Sequence, residues 1–221
     1  MHMYFASRTQ AGKMLAEEIV KKHAGENCVV IGLSDGSVIT GAQIALQLHA
    51  PLSLLLVEPI ELPREGMPIA GMSDDGSFAY NGLYSEGEID ELVTEYHNYI
   101  EGLKTSKLSQ MHEVLGAGGL IRRDLLRGRV IVLVSDGLTS GFSLDVAAVY
   151  LKKTKYEKLI VATPLASVPA VDRMHVLADE IYCLNVVHDY ITTDHYYELR
   201  DVPPHKVIVS VLERIMKQWK Q

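Results

Sequence analysis

The triplet Ser-Asp-Gly occurs twice, as Ser34-Asp35-Gly36 in "CVVIGLSDGSV" and as Ser135-Asp136-Gly137 in "VIVLVSDGLTSGFS". Each copy follows a short aliphatic run and precedes a helical pattern, so each reads as a loop leaving the end of a buried strand. The second loop sets an acid directly after the strand and follows it with Thr139, Ser140, Gly141 and Ser143. Small residues let the backbone curl with its N–H groups inward, hydroxyls add donors, and a helix N-terminus adds partial positive charge, which together describe a phosphate cradle lacking a Walker lysine. Asp136 at the strand tip is suited to sugar hydroxyls or to a hydrated Mg²⁺. Spacing alone equally allows Ser140 or Ser143 to serve only as a helix cap, with the glycines merely turning the chain.

The first loop also satisfies G-x-S-x-G, from Gly32 to Gly36, the elbow of serine hydrolases. Ser34 would be the nucleophile, with Asp136 and one of His188, His195 or His205 completing the order Ser, Asp, His. The elbow follows the first strand, however, and leaves no upstream strand or oxyanion loop for such an enzyme. The segment Asn185 to Leu199 is rich in His and Tyr, and His188 and His195 would share one face if it were helical. Two histidines without a third ligand are weak grounds for zinc.

The elements that must position these loops alternate between strand and helix patterns. Helix-spaced apolar residues Ala11, Leu15 and Ile19 end at Gly25, strand "CVVIGL" follows, and a helix is expected over Val38 to Leu48 before the apolar run "LSLLLVEPI". From Glu61 to Gly87 the texture is Pro, Gly, Asp and Ser, an excursion or hairpin. Ile89, Leu92, Val93, Tyr96, Ile100 and Leu103 predict an amphipathic helix. "VIVLV" is the most uniformly apolar strand and belongs at the sheet centre. Leu144 to Leu151 gives a further helix, "KLIVATPLA" and "DEIYCLNVV" two strands, and Val207, Val211 and Ile215 a terminal helix. Such alternation predicts an α/β fold, a doubly wound and mostly parallel sheet.

With 221 residues, 48% of them apolar, the chain can bury a large core. A net charge of −7 with no basic cluster beyond Arg122, Arg123 and Arg127 argues against a nucleic-acid partner, and those arginines read as a solvated face. Cys28 and Cys183 read as reduced core thiols, and no apolar run is long enough for a membrane span, so a cytoplasmic protein is expected.

"VIVLVSDGLTSGFS" resembles the phosphoribosyl-diphosphate (PRPP) loop of type I phosphoribosyltransferases. "FASRTQAGKMLAEEI", "VVIGLSDGSVITGAQIALQLHAPLSLLLVEPI", "DLLRGRVIVLVSDGLTSG" and "VATPLASVPAVDRMHVLADEIYCL" extend that resemblance, in order, toward a bacterial branch of the family. The resemblance implies one domain over 1–221 with a small hood or mobile loop formed by 61–87. It implies binding of PRPP or a nucleoside monophosphate with Mg²⁺, and transfer of phosphoribosyl to a nitrogenous base; the alternative is a non-catalytic regulator that binds a nucleotide or phosphometabolite. By the same resemblance Asp136 contacts the ribose hydroxyls and meets metal only through Mg-PRPP. Ser135 stands where a first acid is usual, and Gly137, Leu138, Thr139, Ser140, Gly141 and Ser143 form the 5′-phosphate turn. Phe142 occupies a position that is usually small.

Ser34, Asp35, Gly36 and Ser37 match the pyrophosphate loop, which in that branch commonly reads Gly-Leu-Pro-Arg-Gly-Gly. Asp35 thus replaces a cation, and at ~4 Å one unit charge is worth about 4 kcal/mol at an effective dielectric near 20. Glu58 and Pro59 stand where an Arg-Lys pair is usual, leaving Arg64 as the excursion's base for a diphosphate. Tyr190 and Asp189, with Asp194 nearby, match the base pocket. The implied partner is a small molecule, and a homodimer is a possible assembly.

Overall fold

A computed structural model describes residues 5–115, 121 and 123–218. Five strands form a parallel sheet: β1 (Cys28–Gly32), β2 (Leu52–Leu54), β6 (Val130–Val134), β7 (Lys158–Ser167) and β8 (Glu180–Val187), in the order β2-β1-β6-β7-β8. β6 is central, as its unbroken apolar run predicts, and it and β1 are buried along their whole length. Successive residues of a strand point to opposite faces, so a strand buried throughout must be covered on both sides. Val30, Val132 and Ile160 meet helices α1 (Arg8–His23), α2 (Asp35–Leu48) and α6 (His205–Gln218) on one face. Val29, Ile31, Leu133 and Val161 meet α4 (Phe142–Leu151) and α5 (Val168–Leu177) on the other, which makes the fold a doubly wound α/β sheet.

The sheet's order fixes where a ligand can sit. From β1 the chain steps outward to β2, whereas from β6 it steps the other way to β7 and β8, so the strand order reverses between β1 and β6. The crevice outside the carboxyl ends at such a point is open to ligands because flanking helices leave on opposite faces. β1 and β6 are paired in register from Cys28 with Val130 to Gly32 with Val134, which brings the two Ser-Asp-Gly loops side by side.

Three elements differ from the sequence reading. "LSLLLVEPI" is not one strand: β2 stops at Leu54, and β3 (Val57–Ile60) turns away into a separate antiparallel sheet with β4 (Ala70–Ser73) and β5 (Phe78–Tyr80). The β4–β5 hairpin is the one expected inside the excursion, and its sheet lies on α4, where Gly71 leaves room for Phe142 and Val146. α2 begins at Asp35, three residues before the apolar periodicity, because Ser34 and Ser37 form a capping box there. α3 (Glu86–Leu115) runs well beyond Leu103 and kinks at Tyr96. Arg122 and the side chain of Ile215 fall outside the described residues. No helix among the described residues is long and apolar enough to cross a membrane.

Candidate functional site

The acid of the second loop is the hub of the switch point. Asp136 is buried, with its Oδ2 accepting from Arg8 Nε at 2.7 Å and its Oδ1 accepting from the Ser34 hydroxyl at 2.8 Å. Its backbone carbonyl accepts from the Tyr197 hydroxyl at 2.6 Å. The two triplets are therefore joined, the serine of the first to the acid of the second. Gly36 makes the approach possible, since a Cβ there would lie 2.1 Å from Asp136 Oδ2 and 2.6 Å from Arg8 Nε.

Arg8 is buried in the first turn of α1 and also reaches Asp194, with Nη2 to Oδ1 at 2.5 Å, and Asp201, with Nη1 to Oδ1 at 3.5 Å. Its guanidinium lies 4.5 Å from the Tyr197 ring centroid. Burial by itself would lower the Arg8 pKa, but Asp136 and Asp194 outweigh it and raise the value, so the guanidinium stays charged. Tyr197 is shifted up by burial and then by Asp136, which keeps its hydroxyl a donor.

Beyond Asp136 the loop is pinned and then opens. The Ser135 hydroxyl bonds both the amide and the carbonyl of Gly137. The Leu138 amide donates to the Leu165 carbonyl at 3.0 Å and its carbonyl accepts from Ser167, so the Leu138 amide is engaged in sheet pairing and does not face a phosphate here. The Ser167 hydroxyl holds the Thr139 carbonyl. Gly141, at φ +80, is the N-cap of α4, and no side chain caps that helix; the reading of Ser140 or Ser143 as simple caps therefore fails. The Leu144 amide bonds the Gly141 carbonyl at 2.9 Å, and the amides before it in the turn have no side-chain cap, which suits them to an anion. Thr139 is exposed, Ser140 is buried and Ser143 is half-buried around this turn. Arg173 of α5 packs within van der Waals range of Gly141 and is ion-paired with the buried Asp145 of α4.

The segment after β8 folds back over the loop. Tyr190 is half-buried, its hydroxyl 2.9 Å from Thr193 Oγ1, and a Cβ on Gly137 would lie 2.3 Å from that hydroxyl. Burial raises the Tyr190 pKa. The structure thus brings Tyr190 to the loop but leaves the Asp189 side chain exposed at the surface, while Asp194, also exposed, accepts from Arg8. Most of this segment is a turn followed by a 3-10 helix, Thr193–Tyr196. His188 lies in the turn and His195 in the 3-10 helix, so they share no helix face. No group of three or more His, Cys, Asp or Glu able to hold a metal occurs among the described residues.

The first loop does not present an open anion site. Asp35 sits in the first turn of α2, where a carboxylate opposes the helix dipole favourably, and it is 2.6 Å from His205 Nδ1. Those two contacts explain a carboxylate at that position. A cavity of about 380 Å³ adjoins it, lined by Ser34, Asp35, Glu58, Lys107, Met111 and His205, among others. Lys107 of α3 pairs with Glu58 at 3.3 Å, whereas Arg64 is an exposed turn residue at φ +74 and is not among the cavity's lining residues. The hydrolase reading of Ser34 has no support: its hydroxyl is the N-cap of α2 and donates to a carboxylate instead of an imidazole.

Arg8, Tyr197, Lys107 and Arg173 were not among the residues that spacing singled out. One signal for Arg8 exists in the sequence, because it falls in register with the buried stripe Ala11, Leu15 and Ile19 of α1. A charge on an apolar stripe needs a buried partner.

Comparison with known proteins adds a name to the resemblance. No family model matches the chain. Two Mycobacterium tuberculosis proteins, from strains CDC 1551 and H37Rv, are each named putative phosphoribosyl transferase and are 27% identical over 222 residues, covering 98% of this chain and 48% of theirs. The chain spans about half the length of these curated relatives. The crystal structure of the protein TT1426 from Thermus thermophilus superposes with a TM-score of 0.70 and 23% identity over 96% of this chain and 99% of that one, which shows the shared fold. The purine phosphoribosyltransferase of Pyrococcus horikoshii aligns at a TM-score of 0.49 and 12% identity over 92% of this chain and 98% of that one, too remote to carry weight. The curated relatives' name agrees with the resemblance to phosphoribosyltransferases read from the sequence.

Proposed function

We propose that this chain binds a 5′-phosphorylated ribose, as PRPP or a nucleoside monophosphate, in the crevice between the two Ser-Asp-Gly loops, and acts as a phosphoribosyltransferase. The observation that carries this reading is the position of Asp136 and the side-chain-free N-terminus of α4 together at the sheet's reversal point. In this reading the 5′-phosphate rests on the turn Thr139 to Ser143, and Asp136 accepts from the ribose hydroxyls. The small sheet β3–β5 and the segment over Gly137 act as the hood, and Tyr190 forms one wall for the base. The stem of Arg173 walls the turn beside Gly141, while its guanidinium is held by Asp145.

The reaction would displace diphosphate from ribose C1 by a base nitrogen through a cation-like transition state, with C1–O breaking as C1–N forms. Loop amides would stabilise the phosphate end, and the hood would exclude water. Magnesium, when bound, would offset the charge of the diphosphate. The Arg8 guanidinium lies 2.7 Å from Asp136 Oδ2, and a cation so close disfavours direct metal coordination, so Asp136 would meet a hydrated ion only indirectly. Asp35 and Glu58 carry hard oxygens on the cavity wall, but Asp35 is in hydrogen-bond contact with His205 and Glu58 is ion-paired to Lys107.

Calorimetric titration tests the reading with PRPP and a panel of nucleoside monophosphates, each with and without Mg²⁺. Saturable binding that is lost in Gly141→Val is expected, because a β-branched side chain is strained at φ +80 and would strike Arg173. Folded protein that binds none of these ligands would refute it. Pyrophosphate release from PRPP with a panel of bases then separates transfer from a non-catalytic binding role.

A further inference from the structure

We infer that Arg8 is a positioning residue that dedicates one oxygen of Asp136 to the protein and leaves the other, now occupied by Ser34, as the seat for a ligand hydroxyl. This rests on the reading of the crevice as a ribose site. A carboxylate has two oxygens, and here their partners are of unequal strength. Oδ2 accepts from a buried guanidinium at 2.7 Å, a charge-assisted bond that is itself fixed by Asp194, Asp201 and the Tyr197 ring. Oδ1 accepts from one neutral hydroxyl, that of Ser34, at 2.8 Å.

A neutral donor can be exchanged for another neutral donor at small cost, whereas withdrawing the guanidinium would strand buried charge. A sugar hydroxyl arriving at the crevice would therefore replace Ser34 on Oδ1 and leave Arg8 where it is. Ser34 would keep its second role, since its oxygen also accepts from the Ser37 amide at 3.1 Å as the cap of α2. Rotation of the carboxylate is restrained from the other side by Gly36, whose backbone closes on Oδ2. Arg8 acts through Asp136, and its consequence is that the site discriminates by hydroxyl number: a ribose is held more tightly than the same sugar lacking a hydroxyl.

The test measures dissociation constants for ribose 5-phosphate, 2-deoxyribose 5-phosphate and inorganic phosphate with the full chain and with Arg8→Gln, Arg8→Lys and Ser34→Gly. Wild type should prefer ribose 5-phosphate over the deoxy sugar by about tenfold, the worth of one hydrogen bond to a charged acceptor. In Arg8→Gln that ratio should fall toward one while phosphate affinity stays within about twofold, and Arg8→Lys should restore part of the ratio. Ser34→Gly, which keeps most of the capping, should bind ribose 5-phosphate about two- to tenfold more tightly because the competing hydroxyl is gone. Thermal melting accompanies each variant; if Arg8→Gln is unfolded, Arg8→Lys and Ser34→Gly carry the test. An unchanged ratio in folded Arg8→Gln, or weaker ribose 5-phosphate binding in folded Ser34→Gly, overturns the inference. Wild type that binds none of the three ligands overturns the ribose reading itself, a different result from discrimination that ignores Arg8.

Discussion

Replacing Gly36 by alanine tests the joint between the two loops directly. The added Cβ would lie 2.1 Å from Asp136 Oδ2 and 2.6 Å from Arg8 Nε, against a floor of 3.0 Å for real contacts. Asp136 must then retreat by about 0.9 Å, enough to stretch its 2.7 Å bond from Arg8 beyond hydrogen-bonding range. Overpacking costs about 1–3 kcal/mol and a broken buried ion pair about 3–5 kcal/mol, while alanine recovers roughly 0.5–1 kcal/mol of helix propensity. Because α2 can yield partly, a net loss of about 2–4 kcal/mol is expected, a fall in Tm of about 5–15 °C for a chain of this size. Gly102→Ala is the control: it lies in α3 with nothing within 4 Å of its Cβ, and should gain about 0.5–1 kcal/mol. Urea unfolding of the two variants beside the parent decides the matter. A Gly36→Ala protein within about 0.5 kcal/mol of the parent would refute the close approach of Asp136, Arg8 and α2.

Three further outcomes follow from groups away from the crevice. Burial pushes the Asp74 carboxyl from 3.8 up to about 6, so the folded state holds a proton that the unfolded chain releases, and this group's contribution falls as pH rises from about 4 to 6. Asp74→Asn should therefore raise stability by about 1–3 kcal/mol at pH 8 and by little near pH 4, read from urea midpoints at both values. Glu180 is held at about 2, below its usual 4.5, chiefly by Lys22 and further by Lys158 and His23; its contribution is present above 4.5 and lost as pH falls toward 2. Glu180→Gln should cost about 1 kcal/mol at pH 7, with the difference closing below pH 3. Burial, with Glu26 adding to it, raises the Cys28 thiol to about 11, so aromatic disulfide reagents at pH 8 should modify Cys28 no faster than the protein unfolds.

The sheet is largely legible in the sequence. Strand runs and helical periodicities are local patterns, and the central place of "VIVLV" follows from burial on both faces, which demands an unbroken apolar run. Local chemistry misled where capping and strand breaks intervene. Ser34 starts α2 earlier than the apolar residues suggest, and "LSLLLVEPI" hides a change of sheet because a break at Leu55 and Leu56 looks the same in sequence as a continuous strand.

What the sequence by itself determined was the fold class and two identical triplets at strand ends, one resembling a phosphate loop and one bearing a carboxylate where a cation is usual. Only the tertiary structure decided what those triplets touch. Asp136 finds its cation 128 positions away at Arg8, and Arg8 finds Asp194 186 positions away, contacts that arise from strand order and helix packing and leave no mark in local spacing. Asp35 is accommodated by its helix N-terminus and His205, across 170 positions. The physical reason is that periodicity reports which face of an element is dry, whereas the partner of a buried charge depends on which elements become neighbours.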